Sequence, residues 1–559
     1  MNSQCNLCRS PLSSSLLPTP TQTEQVLDLL RTNSLPTDSS RWHSIIASSA
    51  ADVARYDTKI GRLREVMNRL VSERDALQQY GNQCRSVFAP VRRLPPEILA
   101  EIFALCCPTP ALYCDNIPYK PVGQSHLVTL LQVCSAWYST VMETPSLWAI
   151  IEVDPDNPYP AIPNKSLRDV SHIRRSLNRS GHHPLIVQLV SSDRRVSSGL
   201  ELLASCADRW RIADMHIDIA ASSFLSRLRG NFPLLERLAL GGDGAEGLNI
   251  FETAPSLMHV ILSDVDGALP KLPWSQLREV TYYASHPAVL DERIIANRLA
   301  FISHCSDQCE FNIYSLNLSA LDPLAPHFSQ QQIQSNIPIL RLGILDRYGE
   351  EHSRPALGQI IGSLTLPNLR ELHFRSTSPK DPLFWPHDFN LFSSRSSLRE
   401  TLTKLFLYDM VITENELVHC LSDMHVLQEL FVQDVGGDDD DHILITDTLL
   451  QRLTWRADSS CLVPNLHDFS FASLFFFDDD DFIEFVESRL VPGRTQNGPL
   501  RIEAFAIIDA EPGLGIVGVG LGAVAVGRMA VLQTQGLIRW SKHGSKHFRK
   551  KSTLNVHVL

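Results

Sequence analysis

From Val53 onward, apolar and charged residues alternate in steps of three and four. Val53, Ile60, Met67 and Arg74 share one heptad position and Tyr56, Leu63, Leu70 and Leu77 share another, with charged residues between them. Such spacing keeps one seam of a helix apolar. The pattern predicts a helix over 44–84, which is either a short coiled coil or an amphipathic helix folded back on the segment that follows. Arg74 in the seam and Gly81 one heptad later argue against a long dimer, because about four heptads are marginal without strong core residues. Weak or no homodimerisation is the expectation. Residues 1–43 are rich in Ser, Thr, Pro and Leu and read as disordered.

A second helical signal starts at Leu94-Pro95-Pro96-Glu97. Proline suits a first helical turn, where its missing N–H has no intrahelical partner, and Glu97 suits the positive end of the helix dipole. Ile98, Leu99, Ile102 and Phe103 follow at i, i+1, i+4 and i+5, which is read as one apolar stripe. Leu127, Leu130, Leu131, Cys134, Trp137 and Tyr138 supply another. Between them, Cys106 to Ser125 holds proline and glycine and predicts a loop. Helices this short bury too little surface to be stable alone, so a partner surface is expected to complete them.

After Trp148 the rhythm changes to short strands. Leu235-x-x-Leu238-x-Leu240 is followed by Leu257-x-x-Val260-x-Leu262 and Leu277-x-x-Val280-x-Tyr282. Later come Leu369-x-x-Leu372-x-Phe374, Leu402-x-x-Leu405-x-Leu407, Leu427-x-x-Leu430-x-Val432 and Leu466-x-x-Phe469-x-Phe471. Pro233, Pro255, Pro367 and Pro464 each precede a unit by two residues. Helical returns are visible at Glu414–Leu421 after Thr413 and from Thr446, a fitting N-cap, to Leu453. The array resembles a degenerate leucine-rich repeat, in which each unit supplies one strand and buries its leucines against its neighbours. The first starts lie 22 and 20 residues apart and later ones 33, 25 and 39 apart, so the solenoid is expected to carry insertions.

The blocks from Leu94 to Trp148 carry a second resemblance. Leu94-Pro95-Pro96-Glu97-Ile98-Leu99 with Ile102 and Phe103, then Leu131-x-Val133-Cys134-x-x-Trp137, then Pro145-x-Leu147-Trp148 resemble an F-box, the helical module that docks the Skp-family adaptor of cullin-based ubiquitin ligases. The link Cys106–Ser125 is longer than is usual for that module. The resemblance implies that these fifteen residues form the adaptor-docking surface. An F-box followed by an irregular leucine-rich array and preceded by a heptad helix is similar to the large F-box families of mushroom-forming fungi.

Composition narrows the remaining choices. At 559 residues, with 44% hydrophobic content, the chain has room for two or three structural units. Fifty basic against 62 acidic residues give a net charge of −12, which does not favour a nucleic-acid footprint. Twelve scattered cysteines and no apolar leader near Met1 fit reduced thiols in the cytoplasm or nucleus. Cys5-x-x-Cys8 has no second pair to complete a zinc site.

Three other lookalikes are set aside. Gly513-Leu514-Gly515-Ile516-Val517-Gly518 matches a dinucleotide fingerprint, but too little chain follows for the sheet it requires. Pro512–Gly527 is uncharged for 16 residues yet holds six glycines, too many for a membrane span. The tetrads Asp438–Asp441 and Asp478–Asp481 lack the alternation, glycine and glutamate of a calcium loop; the second is expected to start a helix. Leu537–Trp540 is read as a strand that caps the array, and Lys542, Lys546, Arg549, Lys550 and Lys551 as a solvated basic tail or a nuclear import signal.

The expected fold is an α+β multi-domain chain. It comprises a disordered 1–43, an amphipathic or coiled-coil helix 44–84, a small all-α F-box 90–150, an α/β leucine-rich-repeat-like solenoid 185–508, and a glycine-rich segment with basic tail 509–559. The expected function is that of a non-catalytic substrate-recognition subunit of an SCF-type ubiquitin ligase. It would bind the Skp-family adaptor, through it a cullin, and an unknown protein substrate. The alternative is an interaction scaffold acting outside a ligase. No catalytic residue, cofactor, metal, nucleic acid or membrane is expected.

Overall fold

The computed structural model describes residues 18–32, 35–107, 123–153, 171–190, 198–227, 232–265, 267–283, 292–318, 321, 332–346, 349–378, 382–434, 444–456, 461–473, 475–490, 500–506 and 522–544. The chain divides into two compact units, Met1–Leu99 and Ala100–Leu559.

In the first unit, helix α1 spans Pro20–Thr32 and α2 spans Ser39–Val87. Residues 1–17 of the stretch expected to be disordered lie outside the described residues, whereas α1 is a regular helix with no buried residue. Its start is set locally. The Gln22 amide N–H donates to Thr19 Oγ1 and the Thr19 N–H donates to Gln22 Oε1, at 3.4 and 2.8 Å. This is a capping box with Pro20 in the first turn, a signal the composition of the segment masks. The heptad helix is longer than 44–84. Asp38 accepts from the Arg41 N–H at 3.1 Å and starts it early, and its 49 residues extend for about 73 Å. A short 3-10 turn, Pro90–Arg93, follows.

Helix α3, Pro96–Cys106, runs from the first unit into the second. The second unit continues with α4, Gly123–Leu131, α5, Ser135–Glu143, and a 3-10 turn at Pro145–Trp148. Most of the expected loop between α3 and α4 (residues 108–122) lies outside the described residues.

The rest of the second unit is a leucine-rich-repeat-like α/β solenoid around a 15-stranded parallel sheet. Its strands are β1 Ile150–Val153, β2 Leu185–Val190, β3 Trp210–His216, β4 Arg237–Gly241, β5 His259–Ser263, β6 Glu279–Tyr283 and β7 Glu310–Asn317. They continue with β8 Ile339–Leu345, β9 Glu371–Ser376, β10 Lys404–Val411, β11 Glu429–Asp434, β12 Asp468–Ser473, β13 Leu500–Ala506 and β14 Ile538–Gly544. Each pairs with the strand before and the strand after it, and Leu383–Phe384 adds a short partner to β10.

All seven sequence units supply strands, and their leucine positions stack in register, with a shift only beyond Leu407 where Met410 pairs with Asp434. Leu238, Val260 and Val280 are cross-strand partners, as are Leu372, Leu405, Leu430 and Phe469. Leu240, Leu262 and Tyr282 form one inner row, and Phe374, Leu407, Val432 and Phe471 another. These rows lie in one continuous buried core. The sheet is wider than 185–508, starting at Ile150 and reaching Gly544. The expected capping strand is β14, paired with β13 from Leu500↔Ile538 onward.

Several strands escaped the leucine pattern because other residues fill its positions. Trp210-x-x-Ala213-x-Met215 makes β3 and Ile337-x-x-Leu340-x-Leu342 leads into β8, and all six residues are buried. Return segments follow local rules. Thr413 and Glu416 form a reciprocal capping box, and the Thr446 hydroxyl accepts from the Leu449 N–H at 3.3 Å. The second acidic tetrad starts a helix as expected: Asp478 stands at the N-cap position and Asp479, Asp480 and Asp481 fill the first turn of Asp479–Ser488. Asp479 also accepts from the N–H groups of Gly522 and Ala525 at 2.9 and 3.1 Å, which caps the next helix, Ala523–Thr534. The first tetrad, the Gly513–Gly518 motif and Cys5-x-x-Cys8 lie outside the described residues. Among the described residues no helix is long and apolar enough to cross a membrane.

Leu369, Leu372, Phe374 and Leu405 are fully buried. Truncating any of them to Ala should cost about 2–5 kcal/mol, whereas Arg399→Gln, on an exposed helical return, should change stability by less than about 0.5 kcal/mol. Chemical denaturation of the purified variants measures both.

Candidate functional site

The fifteen residues singled out by motif divide sharply by exposure. In the first unit Leu94 is half-buried, Pro95, Pro96, Glu97 and Ile98 are exposed, and Leu99 is buried. In the second, Phe103, Leu147 and Trp148 are buried, Leu131, Cys134 and Trp137 are half-buried, and Ile102, Val133 and Pro145 are exposed. Ile98, Leu99, Ile102 and Phe103 therefore do not form the single stripe expected. Successive helical residues are about 100° apart, and the four split into two pairs. Leu99 and Phe103 share a buried side, while Ile98 and Ile102 share an exposed one.

Phe103 meets Trp137 with ring centroids 4.8 Å apart, so the first and second blocks do come together. Leu105 extends the outer stripe by another turn. Ile98, Ile102 and Leu105 are 48%, 37% and 83% exposed, and Leu105 was missed although its i+7 spacing from Ile98 was legible. The closing block anchors the segment. Trp148 donates its indole N–H to the Val141 carbonyl at 2.8 Å, and the Arg179 guanidinium lies 4.4 Å from the centre of the Trp148 ring. Because β1 begins two residues after Trp148, the helical segment is continuous with the start of the sheet.

A second candidate surface lies on the sheet. In β9 residues alternate between buried and half-buried, which sets one side against the core and leaves the other on the more open face of the sheet. On the open face, side chains from different repeats line up in rows. His373, Phe406 and Phe431 are register partners, and His373 stacks on Phe406 at 4.1 Å. Tyr408 packs on Phe431 at 4.5 Å, with the Arg375 guanidinium 5.1 Å above its ring. Burial pushes the Tyr408 hydroxyl pKa up to about 12. Tyr283 and Tyr314 stack at 4.9 Å further along.

Charged groups run beside these rings. Arg341 bridges Glu310 and Glu371 at 2.8 and 2.7 Å and also donates to Asn312. Lys404 pairs with Glu429 at 2.9 Å, and His259 pairs with Glu279 at 3.1 Å. Burial works to raise the Glu371 pKa, but the hydrogen bond from His373 and the charges of His373 and Arg341 outweigh it and hold the carboxyl at about 2. Burial pushes His373 down. Arg341, bonded to Glu371 at 2.7 Å, places a permanent positive charge beside the pair. These rows occupy the x positions of the leucine units, which burial leaves unconstrained, so only stacking the units in register reveals them.

Among the described residues no cluster of His, Cys, Asp and Glu could hold a metal ion. No model of a known protein family matches the chain, and comparison with curated proteins finds no match.

The Glu371 pKa also fixes a pH dependence. A carboxylate near 4.3 in the unfolded chain and near 2 when folded stabilises the fold above about pH 4.3. That contribution fades as pH falls toward 2. Glu371→Gln should thus melt below the wild type at pH 7, and the gap should narrow steadily from pH 5 to pH 3 in paired thermal melts.

Proposed function

We propose that this chain is a non-catalytic substrate-recognition subunit of an SCF-type ubiquitin ligase. The helical segment docks a Skp-family adaptor, which joins it to a cullin, and the solenoid holds a protein target. The observation that carries this reading is the outer stripe of α3. Ile98, Ile102 and Leu105 stay in solvent on a helix whose other side is closed by Phe103 and Trp137. An apolar stripe left open on a small helical segment is the signature of a partner surface. Its position within motif blocks that resemble an F-box gives that partner an identity.

The mechanism requires no chemistry from this chain. Holding a target and a ubiquitin-charged enzyme in one assembly turns a bimolecular encounter into a local one. The link through Trp148 and Arg179 into β1 would fix the docked adaptor relative to the target. On the open sheet face the ionic groups already satisfy one another, so a target's charges would have to displace Arg341 or Lys404 from existing partners. The half-buried rings of His373, Phe406 and Tyr408 offer aromatic surface beside these ion pairs, and aromatic surface of this kind supplies most of the energy in many interfaces. Cytoplasmic or nuclear residence follows from this role.

The test is affinity purification of the full chain beside Ile98→Glu with Ile102→Glu, under proteasome inhibition. Both positions are exposed, so the double variant should melt within about 2 °C of wild type yet lose adaptor and cullin while retaining target proteins. Adaptor recovery at wild-type levels by the variant would overturn the docking surface. A wild-type chain that captures targets but neither adaptor nor cullin would replace the ligase reading with that of an interaction scaffold.

A further inference from the structure

None of the 49 residues of α2 is buried. Its seam residues Val53, Ile60, Leu63, Met67, Leu70 and Leu77 are between 43% and 71% exposed. Side chains of this size in heptad register, left in water along a helix about 73 Å long, constitute an unfilled interface. We propose that it is filled by α2 of a second copy of this chain, and that the two helices run antiparallel.

The charges choose the direction. In a parallel pair, Arg74 would face Arg74 of the second copy inside the seam. The flanking contacts five residues apart would set Asp52 against Asp57 and Lys59 against Arg64, which repel. Running the second helix the other way, centred near Glu65, removes these conflicts. The layers become Val53 with Leu77, Ile60 with Leu70, Leu63 with Met67, and Tyr56 with Arg74. The guanidinium that spoils a parallel seam then lies against an aromatic face, while its head keeps the Asp75 carboxylate, 2.6 Å away in the structure.

On the flank, Lys59 meets Glu73 of the second copy, twice by symmetry. Arg64 facing itself at the centre is the one like-charged contact between Asp52 and Tyr80. The register is specific. Sliding by one heptad separates Lys59 from Glu73 and sets Arg74 against Ser49 or Leu63. Gly81 also fits, because it comes to face Ser49, a small residue opposite a small one, with Ile46 and Cys84 paired beyond them.

Antiparallel pairing leaves the C-terminal ends of the two α2 helices about 65 Å apart. If the array binds targets as proposed above, the dimer offers two such sites with a gain from avidity.

Size-exclusion chromatography with light scattering on the full chain, over a hundredfold range of concentration, tests this. Wild type should be a dimer at the upper end, and Leu63→Asp with Leu70→Asp a monomer throughout. Lys59→Glu should weaken dimerisation roughly five- to tenfold at low salt by setting two like-charged pairs face to face, and adding Glu73→Lys should restore it. In a parallel pair the same Lys59→Glu would relieve the clash with Arg64 and strengthen the dimer. Stronger or unchanged association in Lys59→Glu overturns the antiparallel arrangement. So does failure of the double variant to recover. A monomeric wild type, or a dimer that survives the Asp substitutions, overturns the interface itself.

Discussion

Everything in the larger unit depends on the parallel ladder. A strand in a parallel sheet takes its backbone partners from the strand before and the strand after, and neither its N–H groups nor its leucines are satisfied alone. From β2 to β13 each strand has both neighbours in the described structure, and the inner rows of β2 to β12 lie in a single core. This explains why irregular spacing is tolerated. Starts may lie 20 or 39 residues apart provided the strand returns in register, because loop length costs little free energy while a one-residue slip would turn the core face outward.

Between successive strands, long cationic side chains reach back to carbonyl oxygens of earlier segments. Arg209 donates to the His183 carbonyl at 2.9 Å, Arg395 to Leu364 at 2.8 Å and Arg489 to Val463 at 2.9 Å. Carbonyls at the ends of helices and turns have no regular partner, and the planar guanidinium can serve two or three at once. Arg489 does so while almost wholly buried. The same chemistry recurs at three separated repeats and ties each of these segments to the one before it.

How much of this was legible follows from which positions physics constrains. The seven leucine units could be read because burial on one face demands the same residue class at the same spacing each time. Ile337-x-x-Leu340-x-Leu342 obeys that rule, but its first isoleucine hid it, and the chain from Tyr282 to Leu369 was left without strands although β7 and β8 lie there. Helix α1 was hidden by composition, since Thr19 and Gln22 cap it locally in a segment otherwise poor in burial signals. The error at Ile98, Leu99, Ile102 and Phe103 was geometrical. Residues one apart on a helix point in different directions, and four apolar positions at i, i+1, i+4 and i+5 suit two contacts as readily as one. The rows of the open sheet face, from Glu310 through Arg341 to Glu371, depend on which residues stand side by side across repeats, and no single repeat contains that information.

The distribution of exposed apolar side chains separates the parts of the molecule more clearly than secondary structure does. Among the described residues most of the large ones fall between Val26 and Tyr138, and few follow after it. A chain that merely lacked material for a core would leave such residues scattered. Here the solenoid buries its leucines almost completely, while α2 and α3 hold theirs in helical stripes: Val53, Ile60 and Met67 on one, Ile98, Ile102 and Leu105 on the other. Both stripes are regular in period, and each carries its own charge pattern or aromatic backing, so neither is a by-product of poor packing. Exposed apolar surface that follows a helical period is costly in water and promotes aggregation unless something covers it. The same folding rules that close the array therefore leave, among the described residues, two apolar stripes in helical register that the chain itself does not cover.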